Sequence, residues 1–118
     1  SDTERRCAVI LDRDSVKWFK PKKGQFQIYY KSGINHLEYI PDFIAETSDT
    51  ICMIETKAAN EINDTDVLAK KDAAVKWCAH ATSHNVQHEG KPWKYLLVPH
   101  DSVSENMTID GLINKYSR

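Results

Sequence analysis

Apolar positions along the chain recur with two different spacings, and each predicts a different element. Residues 3–12 place Glu4, Cys7, Ala8 and Leu11 on one helical face, with Asp2 or Thr3 as the cap and Glu4 along the buried stripe. A longer helix opens at Asp64-Thr65-Asp66, carries Val67, Ala74, Val75, Cys78 and Ala81 on its apolar stripe, and ends near His84-Asn85. Thr108 to Tyr116 reads as a short closing helix. Between these lie β-type runs. Val16–Phe19 and Phe26–Tyr30 flank Pro21-Lys22-Lys23-Gly24, which reads as a strand pair with a basic tip. Residues 37–46 and 50–57, joined across Ser48-Asp49, are apolar on both faces, as a helix-covered sheet demands, and are expected at its centre. Trp93–Val98 is a further strand, stopped by Pro99. The order α-β-β-β-β-α-β-α predicts a single α/β domain over residues 1–118, a mixed β-sheet flanked by helices.

Composition narrows the class. With 118 residues, 41% of them hydrophobic, the chain closes one domain, and no apolar run approaches the roughly 20 residues of a membrane helix. The polar start, Ser-Asp-Thr-Glu-Arg-Arg, has no apolar signal core and no Met, so the chain reads as a piece of a larger cytoplasmic protein. Cys7, Cys52 and Cys78 lie far apart without CxxC spacing, which reads as reduced, buried thiols. Sixteen Lys and Arg against seventeen Asp and Glu exclude a globally basic nucleic-acid binder. Contact with DNA then needs a local patch, and Lys20, Lys22 and Lys23 at the basic tip are the candidates, weighed against a solvated turn.

The central hairpin carries the chemistry. Folded about Ser48-Asp49, it pairs Glu46 with Ile51, Ile44 with Met53 and Asp42 with Glu55. Opposed carboxylates repel unless a cation sits between them, and oxygen ligands with room for water suit Mg²⁺. Lys57, two residues after Glu55, falls on the same face and brings an ammonium to the rim of one solvent-reachable pocket. Removing Asp42 is expected to relieve the repulsion and to stabilise the metal-free fold. Pro41 interrupts a strand that should be central, a local rule broken where function is expected. Lys71, inside the apolar stripe of the long helix, is expected to point at the sheet near Lys57, unless it only snorkels. Glu4 reads either as an added carboxylate of the site or as a first-turn Glu helped by the helix dipole. His80, His84 and His88, spaced by four, read as a solvated helix end rather than a zinc site, and Trp18, Trp77 and Trp93 as core aromatics rather than base-stacking platforms.

Pro41-Asp42, twelve intervening residues and Glu55-Thr56-Lys57 resemble the PD-(D/E)xK nuclease signature. Further runs, among them Val16–Phe19, Tyr39–Ile44, Ile54–Lys57, Leu68–Lys71 and Lys91–His100, resemble the carboxy-terminal nuclease domain of the restriction subunit of type III restriction-modification enzymes. The resemblance covers nearly the whole chain. It implies a restriction-endonuclease-like fold and Mg²⁺-dependent cleavage of duplex DNA. Asp42 and Glu55 would be the metal-binding carboxylates and Lys57 the residue that polarises the attacking water. It also implies partners: a helicase-like motor that uses ATP and a modification methyltransferase subunit. No GxxxxGK[ST] loop occurs here, so ATP is expected only outside these residues. The competing readings are a catalytically silent domain of the same fold that docks DNA or subunits, and a related nuclease of DNA repair or transposition.

Overall fold

The computed structural model describes residues 1–117. Its first helix, α1 (Asp2–Asp14), is capped by Ser1 rather than by Asp2 or Thr3, with Ser1 Oγ accepting the Glu4 amide at 3.2 Å. This sets the helix phase. The buried residues of α1 are Thr3, Cys7, Ile10 and Leu11, and Glu4 stands beside that stripe, partly exposed, rather than along it.

The strands β1 (Lys17–Phe19), β4 (Phe43–Glu46), β5 (Ile51–Lys57) and β6 (Trp93–Pro99) form a mixed sheet in the order β1-β4-β5-β6. β4 and β5 are antiparallel and central, with Glu46 opposite Ile51 and Ile44 opposite Met53, the register expected from the turn at Ser48-Asp49. β5 and β6 are parallel, joined by α2 (Thr65–Gln87) as a crossover. β2 (Ile28–Ser32) and β3 (Asn35–Tyr39) make a separate two-stranded sheet, and α3 (Ile109–Tyr116) closes the chain. The architecture is mixed α/β.

Two expectations about pairing are corrected. Residues 16–19 pair with β4, not with residues 26–30, because the tip between them turns away: Gly24 and Gln27 have φ of +81° and +55°, and the Gly24 amide donates to Glu38 of β3 at 2.6 Å. The expected strand 37–46 is two strands, β3 and β4, parted at Ile40-Pro41-Asp42. The Thr47 amide donates to the Thr50 carbonyl, so by antiparallel alternation the hydrogen-bonded pairs are 45/52, 43/54 and then 41/56. Pro41 has no N–H for the third pair, and the ladder stops at Phe43.

Side chains of β5 alternate between two cores. Cys52 and Ile54 pack with α1 and α3 against Phe43, Leu11 and Leu112. Met53 faces the other way, toward α2 and the β2–β3 hairpin, against Val67, Ala74 and Tyr95. Full burial of each large apolar side chain contributes about 1.5–3 kcal/mol. The tryptophans belong to this packing: Trp77 and Trp93 meet edge to face at 4.8 Å, and Trp18 meets Phe43 at 5.7 Å. All three cysteines are free and buried, and burial pushes each thiol up to about 12. Among the described residues no helix is long and apolar enough to cross a membrane.

Candidate active site

Asp42 sits where β4 would have continued. Its Oδ2 accepts both the Thr56 amide, at 2.8 Å, and the Thr56 hydroxyl, at 3.0 Å. In β5 the amide of Ile51 turns toward β6, donating to Pro92, so Thr56, an odd number of residues on, turns its amide toward β4. Pro41 cannot complete a reciprocal pair there, and the carboxylate next to it accepts the amide instead. The break at Pro41 therefore fixes Asp42.

Glu55 lies in the middle of the sheet end, 8% exposed, on the α2 face with Met53. Its Oε1 accepts the Tyr39 hydroxyl at 2.6 Å, and that hydroxyl lies 3.0 Å from the Tyr95 hydroxyl. Burial, and after it the charge of Asp42, push Glu55 up to about 7, against the Tyr39 hydrogen bond and the charges of Lys57 and Lys70. Burial, with the nearby Glu55 charge, also holds the Tyr39 phenol well above its ordinary range.

Lys57, partly buried at the end of β5, acts electrostatically on Glu55. Asp42, Glu55 and Lys57 thus share one end of the β4–β5 hairpin. The α2 cation that acts on Glu55 is Lys70, not Lys71. Lys70 also approaches Asp66 at 3.9 Å and lies 5.5 Å over the Tyr30 ring. Lys71 is half-buried one residue further round the helix. Glu4 pairs with Lys20 at 2.6 Å, and Lys20 lies 4.4 Å over the Phe43 ring, so this tip lysine faces an internal carboxylate. Glu4, Lys20 and Asp42 all act on the Cys7 thiol, which brings them to one neighbourhood. Lys22 and Lys23 are exposed.

The sequence reading missed Tyr39, Tyr95, Thr56 and Lys70. The signal for Thr56 was its odd spacing from Ile51 opposite Pro41. For Tyr39 it was a polar ring at a buried position two residues before Pro41.

The pair lies at the sheet end, away from two clefts. A cleft of about 390 Å³ lies at the opposite end, lined by Asp14, Thr47 and Asp110, and one of about 410 Å³ lies between the hairpin and α2, lined by Lys31, His36 and Lys76. His80, His84 and His88 are exposed, with the last two rings 4.5 Å apart. Among the described residues no group of three or more His, Cys, Asp or Glu is arranged to hold a metal ion. Two carboxylates suffice for Mg²⁺, which keeps waters and takes substrate oxygens. A cation beside Asp42 and Glu55 would offset both the burial and the Asp42 charge that raise Glu55, so the donor set fits one. No family model matches the chain, and no curated protein or solved structure shows significant similarity to it.

Proposed function

We propose that the chain is a Mg²⁺-dependent endonuclease domain that hydrolyses phosphodiester bonds of duplex DNA. We assign it a restriction-endonuclease-like fold and a place in the cytoplasmic restriction subunit of a type III enzyme, with an ATP-driven motor and a methyltransferase subunit as partners. The observation that carries this reading is the Glu55 carboxylate at the strand end, raised by its burial and then by the adjacent Asp42 charge, with Lys57 acting on it from the end of the same strand.

Bound to Asp42 and Glu55, Mg²⁺ would neutralise the scissile phosphate and lower the pKa of an attacking water. The chain's own residues do the rest. Thr56 orients Asp42 through two bonds to one oxygen, which leaves Oδ1 outside that pair of contacts. Glu55, raised to about 7 by burial and then by the Asp42 charge without metal, would release its proton as a cation binds and offer it a full charge. The Lys57 ammonium offsets charge that develops on phosphate without occupying a carboxylate's place.

The silent-domain reading has one observation in its favour: both carboxylates have internal partners, Thr56 and Tyr39. Nicking of supercoiled plasmid by the full-length protein, in Mg²⁺ and in EDTA, separates the two. Mg²⁺-dependent nicking that Asp42→Ala and Glu55→Ala both lose is the expected result. Equal nicking by Asp42→Ala, or none by the wild type, overturns the proposal.

A further inference from the structure

We infer that Tyr39 and Tyr95 form a two-hydroxyl wire that fixes the Glu55 carboxylate and ties the separate β2–β3 hairpin to the candidate site. The inference rests on the reading of Glu55 as a metal-holding carboxylate and makes the two tyrosines its positioning residues.

Three strands from two sheets contribute one group each: Glu55 from β5, Tyr95 from β6 and Tyr39 from β3. Tyr39 is 3% exposed and Tyr95 1%, so water does not compete for these bonds. Tyr39 has a single hydroxyl proton and gives it to Glu55 Oε1 at 2.6 Å. With Glu55 ionised, the 3.0 Å contact between the hydroxyls then runs from Tyr95 to Tyr39, which sets the direction of the wire toward the carboxylate. A hydroxyl that accepts a hydrogen bond becomes a better donor, so Tyr95 strengthens the bond from Tyr39 to Glu55.

Packing alone does not ask for these hydroxyls. The rings meet edge to face at 6.2 Å within the α2-side core, and Phe at either position supplies the same ring. A buried hydroxyl costs free energy unless it is bonded, and here both are spent on one carboxylate. Glu55 Oε1 is committed to the wire, and Oε2 is the oxygen outside it. Groups that orient a metal-holding side chain from behind typically change metal affinity 10–100-fold when removed.

The test uses Tyr39→Phe and Tyr95→Phe with two readouts. The first needs no metal: the carboxyl carbon signal of Glu55 in glutamate-labelled protein, assigned with Glu55→Gln and recorded at one fixed pH. The second is Mn²⁺ affinity, followed by the paramagnetic resonance signal of free Mn²⁺. Tyr39→Phe should move the Glu55 signal and weaken Mn²⁺ binding roughly 10-fold or more, with unchanged circular dichroism. Tyr95→Phe should do both to a smaller extent, and it gives the same readings should Tyr39→Phe fail to fold. An unmoved Glu55 signal overturns the inference whatever Mn²⁺ does, as does unchanged affinity in a chain that binds Mn²⁺. A moved signal in a chain that binds no Mn²⁺ supports the wire and overturns the metal reading instead.

Discussion

Asp42 takes the amide hydrogen of Thr56 at 2.8 Å, where an uninterrupted ladder would have used a backbone carbonyl. One of the two candidate metal-holding carboxylates is therefore also a structural acceptor for a buried strand.

That double role changes what Asp42→Ala should do to the fold. Relief of repulsion on Glu55 favours the variant, but the Thr56 amide and hydroxyl lose their acceptor in a residue only 6% exposed. An orphaned buried donor costs about 1–3 kcal/mol, so a net loss of stability is expected in place of the gain that charge alone suggests. Asp42→Asn keeps an acceptor and drops the charge, and should melt at or above the wild-type temperature without metal. Both variants should lose the Mg²⁺-induced rise in melting temperature.

Lys57→Ala should abolish nicking while leaving the fold and Mn²⁺ affinity near wild type. Lys57 acts on Glu55 from the strand end and is not itself a carboxylate ligand. Substantial cleavage by this variant would remove it from the chemistry.

Stability of the metal-free protein should respond to Glu55 with a definite sign. Its folded value, about 7, lies above the ordinary 4.5, so the folded state holds a proton that the unfolded chain has already released. The group's stabilising contribution is full below pH 4.5 and is lost as pH rises toward 7. Glu55→Gln stays neutral throughout. Its stability relative to wild type should therefore climb across that window, by about 3 kcal/mol in all. Denaturant titrations of both proteins at pH 5 and pH 8 give the comparison, and a difference that does not change with pH would contradict it.

These 118 residues alone should bind duplex DNA weakly, because the net charge is −1 and Lys20 is paired with Glu4, which leaves few phosphate contacts. Fluorescence anisotropy at two salt concentrations measures this. Nanomolar binding insensitive to salt would point to recognition by other means.

The hairpin register was legible because a four-residue connection with polar Ser48-Asp49 at its tip leaves few alternatives, and alternation then places every other residue. The end of that hairpin was not. Pro41 marked a broken rule, but deciding that it stops the ladder needs the phase of the hydrogen bonds, which is carried by Thr47 and Thr50 further along. Lys70 and Lys71 are adjacent on α2, and a stripe read from sparse apolar positions does not resolve one residue of rotation. The partners of Glu4 and Glu55, Lys20 and Tyr39, lie sixteen residues away from each, the first just past the end of β1 and the second in a separate sheet. Nothing in local spacing encodes those.

The crossover through α2 also orders events in time. β5 meets β4 across only residues 47–50, whereas β6 arrives after residues 58–92 have been threaded, a difference of about 2 kcal/mol in closure entropy. The acidic hairpin can therefore form early, while Asp42 and Glu55 are still hydrated and their repulsion is weak. Desolvation of Glu55 is deferred until Tyr95 and α2 dock. Should that docking follow the folding barrier, Glu55→Gln will slow unfolding and leave the rate of folding nearly untouched.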